Sequence, residues 1–376
     1  MKIAIDARFW DKETAGLGRY TQEFIKNLAK IDHQNEYLII LLEKDLLDFK
    51  KIIKQKNFSA FGVKSNHYSI AEQIKLPSEL KKQKFDFIHF LNFNHPTFWR
   101  KPFICTIHDL TLYFFPSRSK KDVIHQLGFR KVVKHAVQKS IKIITASQRT
   151  KDDIIGLFKT EPSKIEVIYE GAADGYKVLP QKEINNFLKK NKIDKPYLLY
   201  VGQWRPHKNL IRLLKAYDKL KKEKKFTGYL VLTGKENDSW KEVSETINKL
   251  NLEKDILRPG FVPENELVYW YNGALAFIFP SLQEGFGIPP LESMASGTPV
   301  IAANSSCIPE VCGKAAKYFN PYSIKNMTDV INKTISDKKA LTNLRKNGFQ
   351  QVKKYSWQKM ALGILKLYKE VYNNLK

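Results

Sequence analysis

PSLQEGFGIPPLESMASGTPVIA, residues 280–302, reads as the end of a strand, a glycine-bearing loop, a short helix and the start of the next strand. Leu275–Phe279 before it and Pro299–Ala302 within it are short, uncharged apolar runs bounded by turn residues. Runs of this kind suit strands buried on both faces. Gly285 and Gly287 free the loop backbone to approach a ligand closely. Pro289 and Pro290 fit the first turn of a helix, where a missing amide hydrogen costs little, and Gly297 fits its C-terminal cap. Loop amides and helix N-terminus would then favour an anion at the carboxyl end of the strand. Glu284 and Glu292 stand at opposite ends of this phosphate-friendly loop, and carboxylates are good acceptors for hydroxyl groups.

Outward from this stretch, strand, loop and helix keep alternating. In the second half YLLYVG (197–202) is a strand, QWRPHKN a loop and LIRLLKAYDKLKKE (210–223) a helix; further strands are expected at Tyr229–Thr233 and Ile256–Arg258, and helices near 236–250, 264–272, 289–296 and 323–353. In the first half a strand begins at Ile3–Asp6, the loop AGLG follows, and a helix carries Tyr20, Phe24, Leu28 and Ile31 on one face. Tyr37–Leu42, Phe85–Phe90, Phe103–His108, Lys142–Ala146 and Ile165–Tyr169 are the other expected strands there. Such alternation implies a parallel sheet covered on both faces. The expected organisation is an α/β chain with two Rossmann-like domains, 1–175 and 196–355, a polar linker over 176–195 and a C-terminal helix over 356–376 that could return to either domain. Loops at the carboxyl ends of both sets of strands would face each other across a ligand cleft.

With 376 residues the chain is too long for one ordinary core, which also points to two domains. It has no apolar run long enough to span a bilayer, and MKIAIDARFW enters a strand pattern without a leader, so a cytoplasmic protein is expected. Cys105, Cys307 and Cys312 form neither a disulfide framework nor a zinc set and read as reduced thiols. The net charge of +26 attracts polyanions. A nucleic-acid-binding protein would be one outcome, but no helix-turn-helix, zinc-finger or RNA-recognition signature is present; runs such as KKEKK at 221–225 read as solvated surface.

EGFGIPPLE, a Glu, seven residues and a second Glu, resembles the signature of family 4 of the retaining glycosyltransferases, which have the GT-B fold. The likeness continues through GLGRY (16–20), TIHDL (106–110), VGQWRPHKNL (201–210), GFVPENEL (260–267) and SSCIPEV (305–311), in the family's order and over nearly the whole chain. The resemblance implies a nucleotide-sugar donor, a saccharide or lipid-linked acceptor and retention of anomeric configuration, with GDP-mannose preferred to UDP-sugars by likeness to bacterial mannosyltransferases of surface polysaccharide synthesis. It further implies that Glu284 holds donor-sugar hydroxyls, Glu292 the ribose, and Gly285, Phe286, Gly287 and Ile288 the sugar and diphosphate through backbone amides. Arg205 and Lys208 would clamp the diphosphate, where two cations offset the charge that a leaving group gains; relatives often have a shorter spacing between these two, which lets His207 share the contact. Phe261 and Val262 would line the base pocket, His108 with Asp109 would face the donor sugar, and Gly16 and Gly18 would let a loop close over phosphate and acceptor. His89 and His125 read as structural.

No Asp-x-Asp occurs, so neither a metal nor a cofactor is expected. A sugar-nucleotide epimerase on the same fold is the competing enzyme reading. Between residues 112 and 142, Phe114 and Phe115 stand among Arg118, Lys120, Lys121, Arg130, Lys131, Lys134 and Lys139. This reads as a basic rim that could rest on an anionic membrane. Val123, Ile124, Leu127, Val132, Val133 and Val137 read as its core-facing side.

Overall fold

Short apolar strands alternating with amphipathic helices bury their backbones and both faces most simply as a parallel sheet between helical layers. The computed structural model, which describes residues 1–11, 15–116, 120–172, 175–234 and 240–376, contains two such sheets. They belong to two units, Met1–Gly171 with Trp357–Lys376, and Ala172–Ser356.

The first unit holds β1 (Lys2–Asp6), β2 (Glu36–Leu42), β3 (Phe58–Val63), β4 (Phe87–Phe90), β5 (Phe103–Ile107), β6 (Ile143–Thr145) and β7 (Ile165–Val167) in the order β3-β2-β1-β4-β5-β6-β7. β1 pairs in parallel with both neighbours, Ile3 opposite Tyr37 on one side and Phe87 on the other. The second unit holds β8 (Tyr197–Val201), β9 (Tyr229–Thr233), β10 (Ile256–Gly260), β11 (Ala276–Phe279), β12 (Val300–Ala303) and β13 (Ala316–Phe319) in the order β10-β9-β8-β11-β12-β13. In each sheet the order reverses beside the first strand, between β1 and β4 and between β8 and β11.

Several expected elements change. AGLG is no loop: the helix Ala15–Ile31 begins there, with Gly16 exposed and Gly18 buried in its first turns. A Cβ on Gly16 would meet nothing, so no close approach requires that glycine. The segment 176–195, expected as a linker, carries the helix Gln181–Lys190 within the second unit, and Phe187 stacks on Tyr269 there. The helix expected over 323–353 is two, Ile324–Ser336 and Lys338–Val352; the Asp337 carboxylate accepts the Ala340 amide at 3.0 Å and caps the second. β3 and β13 add an outer strand to each sheet. The C-terminal helix Trp357–Leu375 lies in the first unit, where the Tyr368 hydroxyl bonds His89 Nδ1 at 2.7 Å. Burial pushes the His89 imidazole down to about 3, and its other nitrogen bonds Thr106, so it is a structural histidine.

Just past β1 the chain buries a cation. Arg8 donates from Nε to Asp6 Oδ1 at 2.8 Å, from NH2 to Asp6 Oδ2 at 2.7 Å and to Glu72 Oε1 at 2.5 Å, and from NH1 to the Ser65 carbonyl at 3.1 Å. All three charged side chains are buried. Removing one partner of such a group leaves an uncompensated buried charge, so Arg8→Ala should lower unfolding free energy by about 3–5 kcal/mol. Urea denaturation of the full chain measures it; a loss of well under about 1 kcal/mol would show that the triad does not hold this end of the sheet.

Candidate active site

Two loops meet at the strand reversal of the second unit. The first leaves β8 and forms a single 3-10 turn over Pro206–Lys208. Asn209 ends the turn in the left-handed conformation at φ 61° and is buried; its side-chain amide donates to the carbonyls of Pro280 at 3.1 Å and Pro321 at 2.9 Å. The second loop leaves β11 and is joined to the first by the Leu282 amide, which donates to the His207 carbonyl at 2.7 Å. Gly287, at φ 92°, turns this loop into the helix Ile288–Ala295, a backbone conformation that a side chain would strain.

The loops also join through charge. Lys208 Nζ lies 2.7 and 2.8 Å from the two carboxylate oxygens of Glu284, and both side chains are mostly buried. The Glu284 backbone is fixed by Ser306, whose hydroxyl accepts its amide at 3.2 Å and donates to its carbonyl at 2.9 Å. Ser305 bonds the Ser281 carbonyl at 2.7 Å, and the Cys307 thiol reaches the carbonyls of Glu284 and Phe286. Cys105, Cys307 and Cys312 are free and buried, and burial pushes the Cys307 thiol well up, so these are inert thiols.

The structure therefore brings Lys208, Glu284, Gly285, Gly287 and Ile288 together. Arg205 precedes the 3-10 turn with its side chain exposed. Glu292 is buried one helical turn inside Ile288–Ala295 and accepts from the Tyr271 hydroxyl at 2.9 Å. The Phe286 side chain belongs to the core, edge-on to Tyr355 at 5.4 Å, leaving only its backbone for a ligand. Phe261 is 73% exposed after β10 and Val262 is half-buried. A lysine, a helix N-terminus and an exposed arginine suit an anion, and the carboxylates suit hydroxyls.

In the first unit the expected roles shift. Both ring nitrogens of His108 are engaged: Nε2 donates to the Leu91 carbonyl at 2.9 Å and Nδ1 bonds Glu170 Oε1 at 3.2 Å. Burial alone would lower the imidazole pKa, but the bond to Glu170 and its charge outweigh that, and the value is raised above the ordinary 6.5. Both ring nitrogens of His108 are thus held by protein acceptors, and neither is open to a sugar. The Asp109 carboxylate accepts the Thr111 amide at 2.7 Å, just before the short helix Thr111–Phe114. Gly16 and Gly18 sit in a helix rather than a closing loop.

Sequence reasoning passed over Glu170, Asn209, Tyr271 and Ser306. Asn209 and Ser306 lie inside the quoted motifs VGQWRPHKNL and SSCIPEV, so those motifs held the signal. Nothing in the spacing pairs Glu170 with a histidine 62 residues away. On the basic rim, Leu112 and Phe114 are exposed, Val133 and Val137 are buried as expected, and Leu127 is 64% exposed rather than core-facing. Arg118 and the side chains of Lys120, Lys121, Val123, Ile124 and His125 lie outside the described residues.

Two family models match the chain: "Glycosyl transferases group 1" over residues 181–351 and "Glycosyltransferase Family 4" over residues 14–173. The chain is 26% identical over 371 residues to the O-antigen chain mannosyltransferase B of Escherichia coli, covering 94% of this chain and 96% of that protein. It is 30% identical over 226 residues to the O-antigen chain mannosyltransferase RfbU of Salmonella typhimurium, covering 60% and 59%. Among solved structures it resembles a sucrose-phosphate synthase from Thermosynechococcus elongatus (TM-score 0.79, 17% identity, all of both chains). HepE from Anabaena in complex with UDP and glucose gives TM-score 0.76 at 18% identity over 98% of this chain and 100% of that one. These structural likenesses share the fold, GT-B.

The His108–Glu170 pair makes a prediction of its own. A pKa raised only in the folded state stabilises fully below the unfolded value near 6.5 and is lost as pH rises through the folded value. Unfolding free energy should therefore contain a component that falls on the alkaline side of 6.5, and Glu170→Gln should remove or reverse it. Denaturation curves across this range read it directly; identical pH slopes for both proteins would contradict the pairing.

Proposed function

We propose the following reaction for this chain, which belongs to the GT-B glycosyltransferases that the group 1 and family 4 models describe: transfer of a mannosyl group from GDP-mannose to a saccharide or lipid-linked glycan, with retention of configuration and without metal or cofactor. The observation that carries the reading is the Lys208–Glu284 pair, which joins a basic loop and a glycine loop at the strand reversal of the second sheet. Ligands of open parallel sheets bind at such reversals. Mannose rests on the names of the relatives, several of which are mannosyltransferases; GDP as its carrier is part of the proposal.

On this reading donor binding replaces the internal ion pair. The Lys208 ammonium turns to the diphosphate, joined by Arg205 and by the amides from Gly285 to Ile288. Glu284 is released to the sugar hydroxyls, and Glu292 addresses the ribose. Phe261 and Val262 border the base. Positive groups fixed before reaction stabilise the charge that the leaving diphosphate gains and can do the electrostatic work of a divalent ion. The leaving phosphate then assists the acceptor hydroxyl on the face it departs from, which gives retention. His108, held at both ring nitrogens by Glu170 and Leu91, is a positioned group with no free nitrogen to serve as a base.

Incubation of GDP-mannose with an oligomannose acceptor in excess EDTA tests the reaction. An elongated product with the donor's anomeric configuration is expected, and Lys208→Ala should cut turnover by about a hundredfold, the scale of one lost electrostatic stabiliser. Loss of wild-type activity in EDTA would refute metal independence, and an isomerised donor sugar formed without acceptor would favour an epimerase.

The protein acts at the cytoplasmic face of a membrane, held there by its basic rim. Arg130, Lys131, Lys134 and Lys139 are exposed on the helix Lys120–Lys139, which also exposes Leu127, and each basic group near an anionic surface contributes about 1 kcal/mol, screened by salt. The protein should sediment with anionic liposomes at low salt and not with neutral ones, and Lys131→Glu with Lys134→Glu should weaken sedimentation. A wild-type protein that ignores anionic liposomes would make the acceptor a soluble saccharide.

A further inference from the structure

Tyr68 stands in the left-handed region, at φ 58°, where a bulky side chain is an outlier. Strain of this kind persists only where surrounding contacts over-determine it, and it clusters at ligand sites. The contacts are present at every part of the residue. Its amide donates to Glu72 Oε2 at 3.1 Å, and its phenolic oxygen accepts from Asn92 Nδ2. The same Asn92 nitrogen donates to Asn94 Oδ1 at 2.9 Å, and Asn94 Nδ2 donates to Glu72 Oε1 at 2.7 Å. One network therefore grips both backbone and hydroxyl, and the buried Arg8 anchors it through Glu72. His67 and Phe9 meet the ring at steep angles and Phe93 lies tilted against it, with centroids 5.3, 5.7 and 5.8 Å away. Yet Tyr68 is 56% exposed.

A side chain fixed at backbone, ring and hydroxyl and still open to solvent presents a rigid aromatic face. Its phenolic oxygen accepts from Asn92, and burial around the hydroxyl holds the phenol protonated, so the exposed part of the side chain is the ring. Arg8 follows β1, and Asn92 and Asn94 follow β4, so this face lies at the strand reversal of the first sheet, where open parallel sheets bind ligands. Asp6 and Glu72 set two carboxylates against the single guanidinium of Arg8, which disfavours a phosphate and leaves a neutral polyol. A pyranose ring meets these conditions: an apolar face for the aromatic ring and hydroxyls for its polar tip.

We propose that Tyr68 is the platform on which a sugar ring of the saccharide acceptor stacks; this rests on the glycosyltransferase reading above. The test uses the full chain and a panel of defined mannose, glucose, galactose and N-acetylglucosamine oligosaccharides, followed by saturation-transfer NMR and calorimetry, with GDP-mannose and UDP-glucose as donor controls. Wild type should bind at least one saccharide. Tyr68→Asn, which tolerates the left-handed backbone but lacks the ring, should weaken that binding about tenfold or more. It should raise the acceptor KM while leaving donor affinity unchanged and shifting Tm by no more than about 3 °C. Tyr68→Phe should hold the saccharide within about threefold of wild type, as the stacked ring remains. Unchanged saccharide affinity in Tyr68→Asn overturns the proposal. So does a parallel loss of donor and saccharide affinity with a lowered Tm, which makes Tyr68 a structural residue. A wild type that binds a nucleotide sugar but no saccharide overturns the platform and leaves the transferase standing; one that binds no nucleotide sugar overturns both.

Discussion

Successive crossovers in an open parallel sheet cover opposite faces when the strand order reverses, so the loops on either side of the reversal part and leave space at the carboxyl ends of two strands. Each sheet here reverses beside its first strand, β1 in one unit and β8 in the other. That constraint decides which loops can hold a ligand. In the second unit they are the loops after β8 and β11, which carry Lys208 and Glu284. In the first they are those after β1 and β4, which carry Arg8, Asn92 and Asn94.

The two reversals are furnished differently. At β8 and β11 the chain offers cations, loop amides and a helix N-terminus, and neutralises Lys208 with a carboxylate from the neighbouring loop. A mostly buried ammonium would be costly without a partner, so the Glu284 carboxylate stabilises Lys208 where it stands and ties the two loops together. At β1 and β4 the cation is sealed in: Arg8 is spent on Asp6 and Glu72, and what remains outside is an aromatic face with amides beneath it. The reversal in the second unit carries charged side chains, and the one in the first carries an exposed aromatic ring.

The sheets were legible because fully buried parallel strands read as apolar runs between turns. Tyr229–Thr233 matched to the residue. The strands missed had weaker signals: FSAFGV carries a glycine and no clean alternation, and AKYF is four residues long. The glycine loop was legible because glycine, proline and glutamate mark its turn, helix start and acceptors in one continuous stretch. AGLG misled because glycine allows a helix as well as a turn, and nothing local distinguishes them. The His108–Glu170 bond and the Arg8 triad stayed hidden because their members are far apart in sequence and only the fold makes them neighbours. The TIHDL motif makes His108 visible in the sequence, whereas nothing local marks its partner Glu170.

On the proposed reaction, the loops after β8 and β11, with the helix that follows, divide a nucleotide sugar between Glu284 and Glu292. Calorimetry of GDP and GDP-mannose binding to the Glu292→Gln and Glu284→Gln proteins addresses it most directly. A lost hydrogen bond to a charged group is worth about 1.5–3 kcal/mol, so Glu292→Gln should weaken both ligands by about tenfold or more. Glu284→Gln should weaken GDP-mannose alone and leave GDP nearly unchanged, because only the intact donor carries the sugar. Equal losses for both ligands in both proteins would contradict the division of roles, and undiminished binding in both would place the nucleotide sugar elsewhere.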